Sequence, residues 1–124
     1  MPRVLVVDDD PTILSTVSEL LEDEGYEVAR ARHGAEALEV AALAAPNAII
    51  LDLMMPVLDG WGFVERYRRQ PGAEEVPIVV MSAAHRLHET AERLRAKGVR
   101  AVLAKPFDMD ALVAIIQRYA PLAA

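Results

Sequence analysis

Val4-Leu5-Val6-Val7-Asp8-Asp9-Asp10-Pro11 sets four apolar residues, three of them β-branched, directly against three acids and a proline. So short a run, with no polar alternation, predicts a strand buried on both faces. Asp10-Pro11 then supplies a helix N-cap followed by proline at the first helical position. The chain thus passes from buried strand to helix within three residues. The pattern recurs. Apolar runs lie at Ala48 to Leu51, Ile78 to Met81 and Ala101 to Leu103, with a weaker one at Glu27 to Ala31. Between them apolar residues keep helical spacing, as in Ile13, Leu14, Val17, Leu20 and Leu21, and again in Leu112, Ile115, Ile116 and Tyr119. Gly25 and Gly98 stand where helices end, and Asp59-Gly60 and Asp108 where they begin. Five strands alternating with five helices predict a parallel sheet, wound on both faces by right-handed crossovers.

Composition agrees with one domain spanning residues 1–124. The chain is 53% hydrophobic and 26% charged, and carries a net charge of -6. An acidic chain without a basic run is a poor ligand for nucleic acid, so no direct nucleic-acid binding is expected. With no cysteine it has neither disulfides nor thiolate metal sites. Its apolar stretches fall well short of the roughly 18 residues of a membrane span. No signal-peptide pattern opens the chain, so a cytoplasmic location is expected.

In an open parallel sheet, ligands bind beyond the carboxyl ends of the strands. With strand order 2-1-3-4-5, that rim gathers Asp8, Asp9 and Asp10 after the first strand and Asp52 after the third. Ser82 follows the fourth strand and Lys105 the fifth. Asp10 is accounted for as a helix cap. Asp8, Asp9 and Asp52 exceed any capping need, and three close carboxylates require a cation or a proton between them. Oxygen-only ligands with open positions describe a magnesium site. Asp52 follows Ile49-Ile50-Leu51 and precedes Leu53-Met54-Met55-Pro56; a carboxylate in such apolar surroundings needs a partner. Beside magnesium it can act as a nucleophile toward phosphoryl groups. Lys105 is one of two lysines, and Pro106 fixes the turn after it. Its ammonium is placed to neutralise a phosphoryl oxygen, and the Ser82 hydroxyl to donate to one.

Together, Val4-Leu5-Val6-Val7-Asp8-Asp9-Asp10-Pro11, Leu51-Asp52-Leu53-Met54-Met55-Pro56 with Asp59-Gly60, Met81-Ser82-Ala83 and Ala104-Lys105-Pro106-Phe107 resemble the receiver domain of two-component response regulators. The resemblance extends over the whole chain and is of the single-domain, chemotaxis-regulator type. It implies the flavodoxin-like doubly wound fold. It implies Asp52 as the phosphoacceptor, charged by a histidine kinase or phosphotransfer protein. It implies Mg2+ held by Asp9, Asp52 and the backbone carbonyl of Met54, with Asp8 acting through metal-bound water. Ser82 matches the switch hydroxyl, and Lys105 the lysine before a cis proline. Such a protein is not an enzyme beyond self-phosphorylation and autophosphatase activity. Its downstream target would meet the face of the fourth helix, fifth strand and fifth helix.

Three departures qualify the match. Val102 stands three residues before Lys105, where relatives often carry an aromatic switch. Arg100 and Ala101 stand where dimer-forming relatives often carry an acidic pair. Met54 and Ala84, two residues after Asp52 and Ser82, cannot orient a water, so a long-lived phosphoryl state is expected.

Other readings are weaker. Asp8-Asp9-Asp10-Pro11-Thr12 fits the nucleophile motif of haloacid-dehalogenase-like phosphatases, but Ser82-Ala83-Ala84 lacks the acidic pair such enzymes need. No Gly-x-Gly-x-x-Gly follows the first strand, which excludes a dinucleotide-binding module. A receiver-like docking module without phosphorylation usually lacks one of the acids, the hydroxyl or the lysine, all present here. His33, His85 and His88 show no metal spacing. Trp61, Phe63 and Tyr67 read as packing residues, and Arg66, Arg68 and Arg69 as a solvated helix face.

Overall fold

Strands and helices alternate along the chain in the computed structural model, which describes residues 2–53, 59–83, 87–105 and 108–122. They are β1 (Arg3–Val7), α1 (Pro11–Asp23), β2 (Glu27–Ala31), α2 (Gly34–Leu43), β3 (Ala48–Asp52) and α3 (Gly60–Tyr67), then β4 (Ile78–Ala83), α4 (Leu87–Ala96), β5 (Ala101–Lys105) and α5 (Met109–Tyr119). The strands form one parallel sheet in the order β2-β1-β3-β4-β5, as the sequence pattern predicts. A single 3-10 turn at Ala73–Glu75, which the pattern does not signal, precedes β4.

Strand alternation sorts the core onto two faces. Val4, Val6, Ile50, Val79 and Met81 pack with Leu14, Val17 and Leu21 of α1 and with Leu112 and Ile116 of α5. Leu5, Val7, Ile49, Leu51 and Val80 pack against Ala37 and Ala41 of α2, Phe63 and Tyr67 of α3, and Leu94 of α4. Burying each large side chain contributes roughly 1.5–3 kcal/mol, so the central strands anchor the sheet. Winding reverses between β1 and β3, opening a crevice at their carboxyl ends.

The caps act as the sequence predicts. The Asp10 carboxylate accepts from Thr12 N at 2.9 Å, with Pro11 opening α1. Asp59 and Asp108 cap α3 and α5 in the same way. His33 has a role not anticipated: it caps α2, its Nδ1 accepting from Glu36 N at 3.2 Å. Glu36 reaches back to accept from Arg32 N, and this bond holds its carboxyl below the usual range.

Arg68 corrects the reading of a solvated arginine face. It is half-buried, and its guanidinium donates to the carbonyls of Ala73, Val76 and Gly98 at 2.6, 2.8 and 3.1 Å. Burial lowers its pKa from arginine's ordinary value. Arg66 and Arg69 are exposed, as expected. Phe63 and Tyr67 are buried and stacked, with ring centroids 5.4 Å apart, and Trp61 packs against the same core.

Among the described residues, one buried side-chain polar atom is unmatched. Ser18 Oγ lies inside α1 with no hydrogen-bond partner. Ser18→Ala removes that desolvation cost and improves helix propensity. It is expected to raise unfolding stability by about 1 kcal/mol, read by urea denaturation at unchanged m.

Candidate functional site

The site is built by strand ends, so register fixes it. Val7 pairs with Leu51 across β1 and β3, which brings Asp8 level with Asp52. Asp52 in turn pairs with Met81, placing Ser82 one residue further along β4. Ala83 pairs with Lys105 at the end of β5. Asp52, Ser82 and Lys105 lie inside their strands rather than just beyond them. The ladder continues past the apolar runs, and Leu53 N still donates to Met81 O at 3.1 Å.

Asp8, Asp9 and Asp52 come together as expected: each offers a carboxylate oxygen within 4.8 Å of the others. Asp8 is fully buried and Asp52 only 5% exposed, whereas Asp9 faces solvent. Asp8 is held by two contacts. Its Oδ1 accepts from Asp10 N at 2.8 Å, and its Oδ2 accepts from Lys105 Nζ at 3.2 Å. Lys105 Nζ also stands 3.6 Å from Asp52 Oδ1. One ammonium therefore bridges two buried carboxylates, one just past β1 and one at the end of β3. Ser82 is 6% exposed on the strand between Asp52 and Lys105.

Among the described residues, two buried carboxylates and one exposed one share the single ammonium of Lys105. Clustered hard oxygen donors of this kind suit a small divalent cation that keeps part of its water shell. The cluster could hold a metal.

Met54, Ala84, His85 and Pro106 lie outside the described residues. Val102 occupies the position of the aromatic switch and is half-buried against the α2–α3–α4 core. Leu94 and Ala91 of α4 are buried.

Gly60, which the sequence marks only as a helix opening, abuts the site. Its N donates to Leu53 O at 2.9 Å. A Cβ there would stand 2.7 Å from Leu53 Cα and 3.0 Å from Asp52 O. Helix α3 therefore abuts the backbone that carries Asp52, and only glycine allows the approach. The sequence signal was a glycine immediately after an Asp N-cap, eight residues past Asp52.

The family model of the response regulator receiver domain matches residues 4–117. Over 116 residues the chain is 43% identical to the transcriptional regulatory protein PrrA of Mycobacterium tuberculosis, covering 94% of this chain and 48% of that protein. The chain thus spans about half the length of such curated relatives. Chemotaxis response regulator CheY4 of Vibrio cholerae superposes with a TM-score of 0.88 at 38% identity, over 96% of this chain and 98% of that one. The receiver domain of sensor histidine kinase PA1611 from Pseudomonas aeruginosa, described with magnesium coordinated in its active-site cleft, gives 0.85 at 31% identity, over 95% and 96% of the two chains.

Proposed function

The chain belongs to the response regulator receiver domain family, and from that premise we propose that Asp52 accepts a phosphoryl group from a histidine kinase or phosphotransfer protein. The observation that carries this reading is the bridging of Asp8 and Asp52 by Lys105 beside a third carboxylate. A carboxylate oxygen of Asp52 attacks phosphorus. The bond from phosphorus to the donor breaks, and its electron pair leaves with the donor. Lys105 is within reach of the oxygen that receives the group and balances the charge arriving there. Ser82, on the intervening strand, donates its hydroxyl to a phosphoryl oxygen. Asp8 holds Lys105 in place, and Asp8, Asp9 and Asp52 hold Mg2+, with the Met54 carbonyl as a further ligand. Bound Mg2+ supplies the positive charge that lets a phosphate approach three carboxylates.

We assign residues 1–124 to one such domain acting in the cytoplasm. Its downstream target docks on the α4-β5-α5 face, and its catalytic activity is confined to its own phosphorylation and dephosphorylation. The test is incubation with acetyl phosphate and magnesium, followed by intact mass. The gain of one phosphoryl group is expected, and its loss when magnesium is chelated. No gain under either condition, in folded protein, refutes the assignment. Met54→Asn and Ala84→Glu are each expected to speed decay of the phosphoprotein several-fold, by positioning a water in line with the Asp52 carboxylate. Unchanged decay would separate these two residues from phosphoryl lifetime.

A further inference from the structure

Charge is distributed very unevenly along this acidic chain. Residues 1–62 hold twelve acids and three cations, a net of -9, whereas residues 63–124 hold seven and ten, a net of +3. The cations also differ in what they touch. Arg3, Arg30, Arg32 and Arg69 each pair with a glutamate, and Lys105 with Asp8 and Asp52. Arg95, Lys97, Arg100 and Arg118 are exposed, and among the described residues none has a carboxylate partner.

These unpaired cations come from three elements that meet at the amino-terminal edge of the sheet. Arg95 lies in the last turn of α4, Lys97 in the turn that follows, and Arg100 directly before β5. Arg118 lies in the last turn of α5 and over the Tyr119 ring at 5.6 Å, while Tyr119 Oη donates to Arg100 O at 3.5 Å. The Arg68 guanidinium, bonded to Gly98 O, adds positive charge at the same turn, and Glu74 is the acid that reaches it. Helix dipoles account for Arg95 and Arg118, each in a last turn. They do not account for Lys97 and Arg100, which lie outside the helices.

We propose that this edge of the α4-β5-α5 face docks an acidic segment of a protein partner. The proposal rests on the output face assigned above and adds its partner chemistry. A short acidic segment matches four cations in extent, and the acids Asp23 and Glu24 at the end of α1, which Tyr26 Oη ties to Ala120 O at 2.8 Å, border the patch on one side only. A duplex, with one charge per roughly 1.7 Å of its axis, would carry its repulsion well past the patch. The patch lies at the opposite end of the sheet from Asp52, so docking there does not require phosphorylation.

The probe is a fluorescein-labelled 12-residue peptide of alternating Glu and Gly, titrated by anisotropy at 50 mM salt. Saturable binding is expected, with a loss of 10-fold or more in Lys97→Glu/Arg100→Glu. Arg30→Glu/Arg32→Glu, which reverses two paired cations elsewhere, should bind within twofold of the wild type. Asp52→Asn should bind equally. Absent binding, or equal binding by the Lys97/Arg100 variant, overturns the proposal, as does tighter binding of a 12-base-pair duplex. Acetyl phosphate labelling of the same preparations tells a failed patch from a failed receiver assignment.

Discussion

Asp52→Asn is expected to abolish phosphoryl labelling, leaving less than about 1% of the wild-type mass gain with acetyl phosphate and magnesium. An amide oxygen carries no charge with which to attack phosphorus. The substitution also removes one of the three carboxylates clustered within 4.8 Å, so cation affinity should fall as well. The fold should survive. Lys105 keeps its contact to Asp8 at 3.2 Å, and the backbone ladder through Asp52 is unaltered. Circular dichroism should therefore match the wild type while labelling is lost. Equal labelling of the variant would move the nucleophile to Asp8 or Asp9 and overturn the assignment.

Gly60→Ala is expected to cost about 1–3 kcal/mol in stability and to slow labelling of Asp52 at the same time. The new Cβ would face backbone: Leu53 Cα at 2.7 Å and Asp52 O at 3.0 Å. Neither atom can swing away as a side-chain tip can, so either α3 retreats or the end of β3 shifts. The second outcome displaces the Asp52 carboxylate from Lys105. Urea denaturation reads the first effect and the initial rate of mass gain the second. A stable variant labelled at the wild-type rate would show that α3 yields without disturbing the phosphoacceptor strand.

Much of this was legible from residue order. The central strands are continuous apolar runs because both faces are covered, and that pattern has few other meanings. Parallel order then places the residues at each strand's carboxyl end on one rim, so residue order alone groups Asp8, Asp52, Ser82 and Lys105. What escaped depended on distant partners. Asp52 and Ser82 extend their strands because neighbouring backbone is there to pair with, a fact that polar side chains conceal. Arg68 resembles its neighbours Arg66 and Arg69 in sequence; only the carbonyls of Ala73, Val76 and Gly98 distinguish it. His33 escaped because histidine is an uncommon cap. That Lys97 and Arg100 have no carboxylate partner among the described residues depends on where the glutamates lie in space.

Arg68 has a mechanical consequence. Its bond to Gly98 O, with Val99 N donating to Leu94 O, fastens the carboxyl end of α4 to the end of α3. The amino end of α4 follows β4, which carries Ser82. A helix pinned at one end moves as a lever. Ten residues span about 15 Å, so a rotation of roughly 10° about the Gly98 hinge carries Leu87 some 2–3 Å while the pinned end stays still. A small pull from the phosphoacceptor rim acts on the Leu87 end and would thus tilt α4 about Gly98, with displacement falling toward the pinned end. Cutting the Arg68 tether would turn the same pull into a loose slide of the whole helix.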